Sequence, residues 1–176
     1  MDKRFVKKQA LVAFLFITSV FILLSCIAEK IVISWGGSVP YRVFLKSDSL
    51  PKKGDYVVLA TSGDDKFARG KVIIKRVMCT EGEVLKIGQL NYYCCKSETD
   101  ELYKCTYLGK AKLHSITGEP VIPFNPCGTT PVCVVRIPEG KYFVVNDHID
   151  SYDSRYFGFV SQHGSYKILY TAKPLF

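Results

Sequence analysis

The run GKVIIKRVMCTEGEVLKIG, residues 70–88, decides the class of fold. Val72, Ile73, Ile74 and Val77 are β-branched, and their stiff side chains suit a pleated strand better than a helical turn. Val84 to Ile87 begins a second such run after the glycine at 82. Alternation places Ile73, Lys75 and Val77 on one strand face and Ile74 and Arg76 on the other. Lys75 therefore shares its face with β-branched neighbours. Burial in such surroundings disfavours the ammonium and lowers its pKa, which makes Lys75 a candidate base. The plainer alternative is a lysine pointing outward from an ordinary surface strand.

The same pattern extends in both directions. YRVFL (41–45), PKKGDYVVLA (51–60), PVCVVRIP (131–138) and GKYFVVND (140–147) all read as strands with turns at their ends. The C-terminal part, from Arg155, reads as further strands with a glycine-containing turn. Residues 90–131 differ, holding most of the cysteines outside the N-terminal segment along with many polar residues, and we expect a disulfide-stapled insert there. Helical periodicity is scarce, so the expected class is mostly β, a folded or partly closed sheet.

The N-terminus follows other rules. Residues 1–9 carry Lys3, Arg4, Lys7 and Lys8 against Asp2, and residues 10–28, ALVAFLFITSVFILLSCIA, carry no charge. About 19 residues at about 1.5 Å each come close to crossing a hydrocarbon core of about 30 Å. Positive charge before the span predicts a cytoplasmic N-terminus, an uncleaved anchor and an exported domain over 29–176. Two alternatives are a cleaved signal peptide and a lipoprotein whose Cys26 bears the lipid. Six cysteines follow the span, at 79, 94, 95, 105, 127 and 133. An even number in an exported domain predicts disulfides, and sequence does not choose their pairing. Adjacent Cys94–Cys95 and only three histidines argue against a zinc site. The formal charge of +8 is dispersed, fitting contact with a lipid bilayer and not nucleic acid.

Two polar clusters remain. WGGSVPY (35–41) sets Ser38 between two glycines and Pro40, as either a linker or a turn presenting a nucleophile. A serine nucleophile needs a base, and no histidine here has a recognisable setting, which leaves Lys75. NDHIDSYDSRYFG (146–158) is dense in hydrogen-bonding groups. It reads as a polar loop held by local turns, or as a support in which Asp153 and Arg155 pair and Ser151 meets a buried amine.

Together these stretches resemble the type I signal peptidases, membrane-anchored serine–lysine endopeptidases. KYFVVNDHIDSYDSRYFGFV (141–160) resembles their C-terminal signature, VIIKRVMCTEGEVL (72–85) their lysine box, SVPYRVF (38–44) a compact serine box, and PKKGDYVVL (51–59) the Gly-Asp segment. The order along the chain matches too, and only the cysteine-rich insert falls outside it. The resemblance implies Ser38 as nucleophile, Lys75 as general base, Ser151 as the hydroxyl orienting the lysine, and Asp153 with Arg155 as the pair behind it. It implies the Ser38 main-chain N–H as one oxyanion donor, a mostly β fold, and no metal or cofactor. Substrates would be exported precursors bound as an extended strand and cut beside small residues.

The compact Ser-x-Pro and single anchor are most similar to the conjugative-transfer branch, which implies an inner-membrane enzyme with a periplasmic domain. Such an enzyme matures a pilin-like precursor for a type IV secretion machinery, with cyclisation as an option. Two positions depart from the family pattern. Gly36 stands where many members carry a second oxyanion hydroxyl, leaving a backbone N–H or Ser34 to serve. VNDHID replaces a more usual Gly-Asp-Asn-Arg run, which leaves the roles of Asn146, Asp147 and His148 open. The rival reading is a non-catalytic, membrane-tethered, disulfide-rich β-domain for pilus assembly or adhesion. A cytoplasmic self-cleaving repressor of related chemistry fits the span and cysteines less well.

Overall fold

In the computed structural model, residues 3–35, 37–128 and 130–175 are described, with side chains from residue 11 onward. Helix α1 spans Lys3–Ala28, and its stretch Leu11–Ala28 has a mean hydropathy of 2.7 with none of it buried against the rest of the chain. It is long and apolar enough to cross a membrane, and water would have to cover that surface otherwise. After a single turn at Glu29 and Lys30 the chain enters β1 (Ile31–Ile33).

The strands that follow are β2 (Val43–Ser47), β3 (Tyr56–Thr61), β4 (Val72–Cys79), β5 (Val84–Gly88), β6 (Asn91–Cys95), β7 (Thr106–Lys110), β8 (Val132–Arg136), β9 (Phe143–Val145) and β10 (Tyr166–Pro174). They form two antiparallel sheets, ordered β1-β2-β10-β3-β4-β9 and β7-β6-β5-β8. The protein is mostly β, as its β-branched runs require. In β3, Tyr56 to Leu59 are all buried, so this central strand packs on both faces. In β4 burial alternates from Lys75 through Val77 to Cys79, the face read from the sequence.

One core cluster lies under the six-stranded sheet around Val57, Leu59, Val77, Val144 and Val160. A second joins the sheets through Cys79, Leu85, Tyr92, Cys94 and Phe143. Tyr92 and Phe143 stack at 5.8 Å within it. The disulfide Cys79–Cys94 links β4 to β6 across these layers, Cys95–Cys105 closes β6 onto the start of β7, and Cys127–Cys133 ties a loop to β8. Residues 90–131 thus contribute β6 and β7 to a sheet whose other strands, β5 and β8, lie outside that segment.

Two local elements differ from the strand pattern expected. Ser154–Phe157 is a short helix, α2, because the Asp153 side chain caps it by accepting from Arg155 N at 3.2 Å. The three-residue β1 is too short to carry an alternation signal, and it forms through pairing with β2.

Because Cys79–Cys94 joins the sheets across a 15-residue separation, removing it with a Cys79→Ala, Cys94→Ala double variant should cost about 3 kcal/mol of stability. Urea unfolding of the oxidised wild type and the variant measures this directly.

Candidate active site

Sheet geometry creates the cleft. Strands β1 and β4 are separated by β2, β10 and β3, each pairing antiparallel, so β1 and β4 run in the same direction. The sheet curls until both line one cleft of about 310 Å³, walled by Val32, Ile33, Ser34 and Trp35 on one side and Val72, Ile73, Ile74 and Lys75 on the other, with Ser38 between. Along β4, β9 pairs only with residues from Arg76 onward, and among the described residues 72–75 have no strand on that side.

Lys75 is 5% exposed. Its Nζ donates to Ser151 Oγ at 2.7 Å. Burial lowers its pKa most, the Asp153 carboxylate partly restores it, and the Arg155 guanidinium lowers it again, leaving it at about 8 against an ordinary 10.5. Ser151 is itself buried, and its N–H donates to His148 O at 3.0 Å. Ser38 is half-buried; its Oγ accepts from Asn146 Nδ2 at 3.2 Å. Its main-chain N–H makes no hydrogen bond among the described residues. Ser38 and Lys75 therefore face one cleft, each held by a different polar partner.

Behind the lysine, Asp153 is fully buried and Arg155 nearly so. Arg155 Nε donates to Asp153 Oδ1 at 2.8 Å and Nη2 to Oδ2 at 2.7 Å, a fork-on-carboxylate pair. Burial works against the Arg155 charge, but the hydrogen bonds and charge of Asp153 outweigh it and hold the pKa above the usual value. Ser154 Oγ accepts from Val144 N at 3.0 Å, which pins α2 to β9. The second sheet supports this pair. Arg155 Nη1 donates to Lys110 O at 3.4 Å, and Tyr92 Oη donates to Phe124 O at 2.6 Å and lies 3.0 Å from Arg155 O. Gly109, at φ +96°, lets β7 approach so closely that a Cβ there would lie 2.6 Å from Arg155 Nη1.

Of the residues singled out by sequence, Ser38 and Lys75 line the cleft, Ser151 is buried against the Lys75 amine, and Asp153 and Arg155 form a buried pair whose charges act on that amine. Gly36 lies outside the described residues, so the question of the second oxyanion donor passes to its neighbours. Ser34 is buried and lines the cleft; its N–H donates to Arg42 O at 2.8 Å, so its hydroxyl is the group it offers there. Asn146 is one of the three positions, with Asp147 and His148, whose roles the sequence left open. It is 4% exposed and bonded to β4, to Ser38 and to Asp153. Its signals were its place at the head of the polar cluster 146–158 and in the run that departs from the family pattern. His148 instead receives Asp150 N at Nδ1 on the surface.

Cys79, Glu83 and Cys94 bring metal-type ligand atoms together, but the two sulfurs are joined as a disulfide, and Glu83 is paired with Lys53 at 2.6 Å. Bonded sulfurs have no thiolate to offer a metal.

The family model described as signal peptidase, peptidase S26, matches residues 6–166. Among solved structures, a signal peptidase I from Enterococcus faecalis V583 is similar at 22% identity and a TM-score of 0.37, covering 70% of this chain and 99% of that one. A search of curated protein sequences finds no match.

Arg155→Met would leave the Asp153 carboxylate buried without its counter-charge, and a loss of about 3–5 kcal/mol is expected. Unfolding by urea, with wild type as reference, reads the loss. A change within about 0.5 kcal/mol would show that the pair is not buried as described.

Proposed function

We propose, since this chain belongs to the signal peptidase family, peptidase S26, that Ser38 and Lys75 are the catalytic pair of a membrane-anchored serine peptidase that removes signal peptides from exported precursors. The observation that carries this reading is a lysine buried on a strand face with a pKa near 8, opening onto the same cleft as Ser38. At pH 7 a lysine with that pKa is neutral roughly a tenth of the time, against less than about one in a thousand for an ordinary one.

Ser151 holds Nζ as acceptor of one N–H, so the lone pair of the neutral amine is free for the cleft. As Ser38 Oγ attacks the scissile carbonyl carbon, Lys75 takes the hydroxyl proton and then passes it to the leaving amine. The Ser38 main-chain N–H, which has no partner among the described residues, faces the developing oxyanion with a second donor, for which the Ser34 hydroxyl is the described candidate. Water, activated by Lys75, resolves the ester. Asp153 and Arg155 act behind Ser151 as its positioning pair.

The substrate closes the curled sheet. Alternate residues of β4 turn their backbone groups to the open side. Asn146 occupies Ile74 O, so Val72 and the Ile74 N–H remain for an extended peptide. Just after β1, Ser34 N donates to Arg42 O, just before β2, which turns Ile33 outward by the same alternation. The peptide adds as a strand between two edges. Because β1 begins just after α1 and runs with β4, a precursor held in the same membrane enters at the Ile31 and Val72 end and reaches Ser38 after a few extended residues.

The anchor is proposed as a single pass with residues 1–9 in the cytoplasm and residues 29–176 outside, at the inner membrane of a cell with a periplasm. Within the exported part, residues 90–131 are taken as an addition that props Arg155. The compact Ser38-Val39-Pro40 turn and single anchor support a conjugative pilin precursor as substrate, and an amine from the precursor itself in place of water would give a circular product. A non-catalytic tethered domain leaves the burial of Lys75 against Ser151 without a use.

Full-length protein in lipid vesicles should process a precursor carrying a signal segment, and Ser38→Ala and Lys75→Ala should each reduce processing by about 10³-fold or more. Retained processing in either variant sinks the reading. In the wild type kcat/KM should rise with pH and level off above a limb near the Lys75 value of about 8, because only the neutral amine accepts the proton. Mass spectrometry of the product separates hydrolysis from cyclisation, the circular form lacking one water.

A further inference from the structure

Asn146 is fixed beside Ser38 and β4 by three contacts of its side-chain amide. Oδ1 accepts from Arg76 N at 3.1 Å, and Nδ2 donates to Ile74 O at 3.0 Å and to Ser38 Oγ at 3.2 Å. The backbone of β4 dictates the orientation. A flipped amide would set its NH2 against the Arg76 N–H and its carbonyl against the Ile74 carbonyl, two repulsive contacts in place of two bonds. One N–H of Nδ2 is thereby committed to β4, and the other points at the serine oxygen. The main chain is anchored as well, since Asn146 N donates to Asp153 Oδ2 at 3.3 Å.

We propose that Asn146 is a catalytic residue that holds Ser38 Oγ as an acceptor, leaves the serine proton to be given to Lys75, and stabilises the oxygen as that proton departs. This rests on the Ser38–Lys75 reading above. A hydroxyl that accepts from a fixed amide directs its own O–H elsewhere, and Lys75 lines the same cleft as Ser38. As the proton leaves, negative charge grows on Oγ, and a preorganised N–H aimed at that atom is worth more then than in the resting state.

The choice of amide also bears on the lysine. A carboxylate at 146 would accept from Arg76 N equally well, but it would turn its second oxygen toward Ile74 O and Ser38 Oγ with no proton to donate. It would add a negative charge beside a base that must be neutral. The charged groups already acting on Lys75 are Asp153, which favours its ammonium, and Arg155, which opposes it. The Arg76 side chain, on the opposite strand face, donates to Gly54 O. A neutral group at 146 leaves that balance undisturbed.

The test uses the full-length protein in vesicles with a precursor that the wild type processes. Asn146→Ala should lower kcat on the order of 10²-fold with KM changed less than about threefold. Asn146→Asp, close to isosteric, should lower kcat similarly and move the alkaline-rising limb of kcat/KM upward by about one pH unit. A KM effect alone, or an unmoved limb in Asn146→Asp, would overturn the proposal. An independent arm needs no active variant at 146. In Ser38→Ala, the Asn146 side-chain amide proton that faced Oγ should shift in the NMR spectrum and exchange faster with solvent, and unchanged amide signals would overturn the proposal. A wild type that processes no precursor defeats the peptidase reading instead, while the amide signals still report on the contact.

Discussion

The structure is organised around the burial of one amine. Placing Lys75 at 5% exposure among β-branched neighbours is unfavourable for an ammonium, by several kcal/mol when no counter-ion touches it. Here its direct partner is a neutral hydroxyl, Ser151, and the carboxylate of Asp153 is drawn off into a fork with Arg155. A carboxylate in contact would have restored the charge. A hydroxyl fixes the amine in place without doing so, and its pKa stays near 8, well below the ordinary lysine value.

That constraint explains much of the surrounding architecture. Asp153 and Arg155 must remain locked together, and the second sheet does this from behind: Tyr92 meets the Arg155 carbonyl, Lys110 its guanidinium, and Gly109 allows the close approach. The Cys79–Cys94 disulfide carries the tie further, because Cys79 sits on the same strand and face as Lys75 while Cys94 is two residues from Tyr92. Among the described residues, no strand pairs with the outer edge of β1 or with residues 72–75 of β4 on the side away from β3.

Most of the framework was legible in the sequence because it depends on local patterns. β-branched runs gave the strands, alternation gave the buried face of Lys75, and a charge-free stretch after basic residues gave the helix α1. The pairing Asp153–Arg155 followed from residue types two apart. What escaped depends on tertiary context. β1 exists through its partner β2, and α2 forms because Asp153 accepts from the N–H of Arg155. The partition of residues 90–131 between a sheet and its neighbours could not be read from composition, since β5 and β8 supply half of that sheet. Asn146 escaped for the same reason: its three amide contacts are to residues 70 or more positions away.

The measurement that bears most directly on the central claim is the titration of the Lys75 amine itself. With lysine side chains carrying carbon-13 at Cε, the Lys75 signal can be assigned by its loss in Lys75→Arg and followed against pH in the folded, oxidised protein. A midpoint of about 8 is expected, against an ordinary lysine value of 10.5. A Lys75 midpoint at or above the ordinary lysine range would contradict the account, since the buried amine would then remain an ammonium and could not take a proton from Ser38.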